Sequence, residues 1–181
     1  MIRTLLTGIS GTGKSTLIHE LAARGYQAVD LDSDEWSKWV PFVPFPGVKE
    51  VPGDPEQEWV WREDRVQDLL STEDAEMLFV SGCASNMRQF LDQFDHIILL
   101  SAPADLIVER LITRTNNPYG KDPEERARVL GHLESVEPLL RKRADHEINT
   151  QLPLEQVVEE VLRIARTRPR GAGSRTPRAS V

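Results

Sequence analysis

Short apolar runs alternate along the chain with stretches where apolar residues recur every three or four positions. Residues 2–7 read as a short buried strand, punctuated by the glycines from Gly8 to Gly13. Leu17, Ile18, Leu21 and Ala22 then follow at helical spacing, which predicts a helix ending at Gly25. Residues 26–31 form a second apolar run, closed by an acidic cluster of Asp30, Asp32 and Asp34. Pro41, Pro44, Pro46, Pro52 and Pro55 mark an irregular region. Within it, Asp54 as N-cap and Pro55 at the first helical position predict a helix to about Leu70. Further strands are expected over 77–81, over the uniformly apolar 95–100, and over 146–150. Helices are expected from Pro103 to about Arg114, from Asp122 onward with interruptions at Gly131 and Pro138, and over 154–164. Residues 116–120 are a loop by their turn chemistry. Five strands alternating with helices imply an α/β fold, a five-stranded parallel sheet covered by helices in three α/β/α layers.

Length and composition fit one such domain: 181 residues, of which 39% are hydrophobic and 28% charged. A single cysteine, Cys83, excludes an internal disulfide and fits a reducing compartment. No apolar run approaches a bilayer span and none marks a signal peptide, so a cytoplasmic protein with no membrane partner is expected. The net charge of −7 conceals an asymmetry. Arg166, Arg168, Arg170, Arg175 and Arg178 follow the last acidic residue, Glu160, and without their five charges the remainder carries −12. So acidic a body argues against binding long nucleic acid, which needs phosphates neutralised by Lys and Arg. Residues 166–181, rich in Arg, Pro, Gly and Ser, read as a disordered basic tail.

The chemistry begins at Gly8-Ile9-Ser10-Gly11-Thr12-Gly13-Lys14-Ser15, which fits G-x-x-x-x-G-K-[ST] at every fixed position. It also sits where its mechanism needs it, between the first strand and the first helix. The glycines let consecutive backbone N–H groups converge on a β-phosphate, and the helix N-terminus adds partial positive charge. Lys14 is expected to reach the β/γ-oxygens of ATP, and Ser15 to offer a hydroxyl to Mg²⁺. Gly8, Gly11, Thr12, Gly13 and Thr16 complete the expected phosphate-binding set.

ATPases that couple hydrolysis to motion carry carboxylates at the end of an apolar strand, but the strand over 77–81 runs into Ser81 and Gly82. The carboxylates instead follow the second strand. Asp32 and Asp34, two apart, could support Mg²⁺ and accept a proton from a hydroxyl acceptor, or merely cap the next helix. Asp30 is the less favoured catalyst because it would end the strand itself. Arg110 and Arg114, four apart, share one helix face. One guanidinium can stack on adenine while the other clamps the transferring phosphoryl group.

Taken together, the loop, the acidic pair and the arginine pair resemble the small P-loop kinases, among them the shikimate, gluconate and nucleoside monophosphate kinases. The resemblance implies one kinase domain over residues 1–165, with a small helical acceptor-binding insertion over about 32–71 and a lid over about 114–125. It implies adenine stacking for Arg110, phosphate contact for Arg114, and Mg²⁺ support and acceptor binding for Asp32 and Asp34. It also implies an adenine frame from residues 149–152, including Asn149 and Thr150. Shikimate is a poor acceptor candidate. The positions expected to bind its carboxylate carry Val60 and Val136, and the expected glycine triplet reads Gly82-Cys83-Ala84.

All four tryptophans, Trp36, Trp39, Trp59 and Trp61, fall inside the insertion, where they could stack on an acceptor or build a local core. Trp36 and Trp39, three apart, are expected on one face of a helix. Arg62, Arg65, Asn86 and Arg88 are further acceptor candidates. The expected activity is transfer of the γ-phosphoryl group of MgATP to a small-molecule acceptor. The alternatives are a nucleotide-dependent regulatory ATPase on the same fold and a kinase acting on nucleic-acid 5′-ends.

Overall fold

A computed structural model of the chain describes residues 1–42, 56–115 and 117–167. Five strands form one parallel sheet: β1 (Ile2–Thr7), β2 (Gln27–Asp30), β5 (Met77–Ser81), β6 (His96–Ser101) and β7 (His146–Asn149), in the order β2-β5-β1-β6-β7. Parallel neighbours need crossovers, which the helices supply. They are α1 (Lys14–Ala23), α2 (Glu63–Ser71), a 3-10 helix (Met87–Gln93), α3 (Ala104–Thr113), α4 (Pro123–Ser135), α5 (Glu137–Arg141) and α6 (Leu154–Ala165).

The period-2 pleat splits each central strand between two cores. Leu5, Leu78, Val80 and Leu99 pack with Trp61, Val66, Leu69 and Phe90 on one face. Leu6, Phe79, Ile98 and Leu100 pack with α1 and α6 on the other, against Leu17, Leu21, Val158 and Val161. Complete burial of a Leu or Ile side chain contributes about 1.5–3 kcal/mol, so these two layers dominate the stability of the fold. The expected three-layer α/β/α architecture is the one observed. Among the described residues, no helix is long and apolar enough to cross a membrane.

Three expectations need correction. First, no helix runs continuously to Leu70 from the Asp54-Pro55 start, which lies outside the described residues. Gln57–Trp61 is strand β4, antiparallel to β3 (Ser37–Pro41), and α2 begins only at Glu63. The alternation of Gln57, Trp59 and Trp61 with Glu58 and Val60, together with strong strand formers, outweighs the helical start signal. Second, Trp36 and Trp39 do not share a helix face, because Trp36 sits in a turn and Trp39 in β3. The described residues of this segment thus form an antiparallel strand pair followed by a helix. Third, Gly131 does not interrupt α4. It lies inside the helix with nothing within 4 Å of where a Cβ would stand, and the break comes at Val136, before α5. The arginine-rich tail from residue 168 onward lies outside the described residues.

Candidate functional site

β1 ends at Thr7 and α1 starts at Lys14, so the loop between them stands at the C-terminal edge of the central strand, where open α/β sheets collect ligands. Gly13 caps α1 with φ 95°, and neither a side-chain cap nor a first-turn carboxylate occupies the helix mouth. Its free N–H groups and dipole therefore face outward as an anion site. Gly8 is held to glycine by both conformation and space. Its φ is +153°, and a Cβ there would stand 2.5 Å from the Leu100 carbonyl oxygen and 2.7 Å from Thr12 Oγ1. Gly8→Ala is therefore expected to lose at least about 2 kcal/mol of stability in chemical denaturation, from strain plus overpacking. Thr12 is wholly buried and donates to the Ile9 carbonyl at 2.8 Å, bracing the loop from within.

Lys14 is only 8% exposed. Its ammonium donates to the carbonyls of Gly8 at 2.7 Å and Ile9 at 3.3 Å, and lies 3.4 Å from the Asp32 carboxylate. Asp32 in turn accepts the Cys83 N–H at 3.0 Å. Burial pushes its carboxyl above the ordinary aspartate value, with Lys14 and the Cys83 N–H opposing the rise. Asp30 occupies the adjoining position. Its Oδ2 accepts the Ser15 hydroxyl at 2.5 Å, and its Oδ1 accepts the Ser81 hydroxyl at 3.0 Å. A carboxylate thus reaches the loop serine from the end of β2, and the end of β5 contributes only a hydroxyl to hold it. Asp34, in contrast, is exposed and outside the cavity described below. Its backbone carbonyl accepts Arg62 Nε at 3.3 Å.

Arg110 joins the loop to the far side of the site. It donates to Thr150 Oγ1 at 2.8 Å, to the Thr150 carbonyl at 2.6 Å and to the Gly11 carbonyl at 3.4 Å. Arg114, just past the end of α3, donates to Ser10 Oγ at 3.3 Å and to the Tyr119 carbonyl, while its buried Nε has no partner. Burial lowers both guanidinium pKa values, although arginine remains charged at any working pH.

These groups line a cavity of about 320 Å³. Gly11, Gly13, Lys14, Ser15, Thr16, Asp32, Arg110, Arg114 and Thr150 all face it. At one end it becomes apolar, with Leu152, Leu154 and Val157. Gly8 and Thr12 shape the loop from behind, and Asn149 is exposed, its side chain pairing with Gln151. Leu154 and Val157 carried no sequence signal beyond the apolar stripe of an amphipathic helix. Ser15 and Asp30 offer the hard oxygen donors that suit Mg²⁺, but too few to hold it without a nucleotide's phosphates. Among the described residues no group of three or more His, Cys, Asp or Glu could hold a metal alone.

Several solved structures share this fold. Shikimate kinase from Acinetobacter baumannii in complex with shikimate is 17% identical, with a TM-score of 0.60 over 91% of this chain and 92% of that one. Shikimate kinase from Bacteroides thetaiotaomicron is 19% identical, with a TM-score of 0.58 over 90% and 97%. A sugar kinase from Janibacter sp. is 20% identical, with a TM-score of 0.50 over 90% and 93%. At such identities the likeness is one of fold. No curated protein matches the chain in sequence. A family model for the AAA domain matches residues 5–131, a span that holds the phosphate loop, Asp30, Asp32 and both site arginines. The chain therefore belongs to the AAA domain family, and it carries its phosphate loop on the fold of the small P-loop kinases.

Proposed function

We propose that the protein is an ATP-dependent phosphotransferase moving the γ-phosphoryl group of MgATP to a hydroxyl of a small acceptor in the cytoplasm. The observation that carries this reading is the position of Asp32. A carboxylate with a pKa raised by burial stands 3.4 Å from the loop lysine and faces the same cavity. A half-buried carboxylate beside the lysine suits removal of a proton from a hydroxyl held at the γ-phosphate, and the screen below separates an acceptor hydroxyl from water.

Each residue then has a task. The loop N–H groups and Lys14 hold the β- and γ-phosphates. Ser15, with Asp30 behind it, would hold Mg²⁺, which neutralises charge across those phosphates when bound. Arg110 and the apolar end at Leu152, Leu154 and Val157 take the base, with the backbone of residues 149–152 framing it. Arg114 meets the charge of the transferring group. Its free Nε–H and its place just before the segment read as a lid suit a donor that tightens when substrate binds. The acceptor oxygen forms a bond to the γ-phosphorus as the bond from that phosphorus to the bridging oxygen breaks, leaving that electron pair on ADP. The acceptor proton passes to Asp32. That role falls to Asp32 rather than to Asp34, which is exposed outside the cavity.

The test is a metabolite-pool screen for ATP-dependent phosphorylation, read by mass spectrometry, with a 5′-hydroxyl oligonucleotide alongside. A phosphorylated small molecule that disappears with Asp32→Asn is the expected result. Hydrolysis of ATP that no pool component accelerates would instead mean a regulatory ATPase.

A further inference from the structure

The kinase reading leaves the acceptor unnamed, and the tryptophans of the insertion carry information about it. Trp61 is 1% exposed, yet its indole N–H has no hydrogen-bond partner. A buried donor left without an acceptor is costly, and buried indoles normally find one. The position of this donor is telling. A Cβ on Gly82 would stand 3.0 Å from Trp61 Nε1 and 3.2 Å from Asp32 Oδ1, so donor and carboxylate flank the same bare glycine.

Trp61 is also fixed in place. Asn86 Oδ1 accepts the backbone N–H of Trp61 at 2.8 Å, and Asn86 Nδ2 donates to the backbone carbonyl of Trp61 at 2.9 Å. The Ser85 N–H donates to the Trp59 carbonyl at 2.9 Å. The edge of β4 is therefore tied to the loop after β5, the same loop whose Cys83 N–H holds Asp32.

Register then extends the site outward. Ser37 pairs with Trp61 and Trp39 with Trp59, and alternate residues share a face, so Trp61, Trp59 and Trp39 lie along one side of the strand pair. The outer two rings contact each other at 5.0 Å between centroids, and Trp39 is 59% exposed. Lys38 and Glu58 are on the opposite side. The two arginines that follow are already engaged. Arg62 donates to the Asp34 carbonyl, and Arg65 donates to the Glu35 carbonyl and pairs with its carboxylate. Val60 packs in the core.

Resting on the kinase reading, we propose that this tryptophan face is the acceptor site and that it selects an uncharged ring compound bearing at least two oxygens. One oxygen is the hydroxyl that gives its proton to Asp32 and receives the phosphoryl group. The second accepts a hydrogen bond from Trp61 Nε1. The flat face of the ring lies against Trp59 and Trp39. An acceptor carboxylate here would meet the Asp32 carboxylate and aromatic rings, and the one cation beside Asp32, Lys14, is already held by that carboxylate and two loop carbonyls, so charged analogues are disfavoured. Asn86 is a positioning residue that acts through Trp61.

The test uses the full chain with MgATP and a panel of ring compounds: glucose, myo-inositol and 4-hydroxybenzyl alcohol against shikimate and 4-hydroxybenzoate, together with the metabolite pool. Phosphorylation of uncharged rings over their carboxylated counterparts is expected, and the first three compounds separate a saturated polyol from an aromatic alcohol. For the accepted compound, Trp61→Phe keeps an aromatic ring, though a smaller one, and removes the N–H. It should raise KM about 3–10-fold, the worth of one neutral hydrogen bond, with nucleotide Kd unchanged by calorimetry. Should Trp61→Phe fail to fold, the exposed Trp39→Ala carries the test, with KM again rising and nucleotide Kd unaffected. Asn86→Ala should shift KM in the same direction and Asn86→Asp should restore it only partly, because the donated half of the clamp is lost. An accepted compound that is anionic or acyclic, or a KM unmoved by the tryptophan variants, overturns this inference and leaves the kinase standing. If nothing in panel or pool is phosphorylated, the kinase reading falls and this inference with it.

Discussion

Asp32→Asn is expected to slow phosphoryl transfer by about 10²–10⁴-fold, the range that positioned proton transfer supplies, while nucleotide Kd moves by no more than about threefold. The substitution keeps shape and the hydrogen bond from Cys83 but cannot take a proton. Single-turnover transfer and calorimetry, measured side by side, separate the two effects, and an equal loss in both would refute the base role. The wild-type pH profile adds a second reading. Burial raises the carboxyl from the ordinary 3.8, so the acidic limb of kcat should fall off above the usual aspartate range, and Asp32→Asn should abolish that limb. Stability carries the opposite sign. Between 3.8 and the raised value the folded state holds a proton that the unfolded chain has released, so stability falls as pH rises through that window. The asparagine variant should lack this decline in denaturant melts.

Lys14→Ala is expected to weaken nucleotide binding by about 10–150-fold, the worth of a charge-assisted hydrogen bond, and to abolish transfer. The ammonium is held by two loop carbonyls and Asp32, so its three donors are engaged and it exchanges at least one of these partners to meet a phosphate. Removing it also strips Asp32 of the cation that opposes desolvation. Its carboxyl should then titrate still higher, a shift that carbon-13 NMR of the labelled aspartate would read directly. An Asp32 titration unchanged by Lys14→Ala would mean that the pair is not coupled.

Much of this was legible in the chain because the signals were local. The glycine spacing before Lys14, the apolar runs of the five sheet strands and the four-residue offset of Arg110 and Arg114 each depend on residues close in sequence. The strand pair was not legible, since its strands pair across a proline-rich interval and the N-cap signal at Asp54-Pro55 pointed to a helix. The acidic cluster was legible only in part. Asp30, Asp32 and Asp34 alternate, so sequence alone fixes a parity but not an origin. The pairing of β2 with β5 sets the register, aligning Asp30 with Ser81 and leaving Asp34 in the turn beyond. Nothing local could show that Trp61, thirty residues further on, returns to stand beside Asp32.

Arg110 touches the loop at Gly11 and the opposite wall at Thr150 with one guanidinium. On the kinase reading, such a strut would link the two halves of a bound nucleotide. Whatever settles against the apolar end also tensions the brace on the loop, so the binding free energies of a bare triphosphate and a bare nucleoside should not add up to that of the intact molecule.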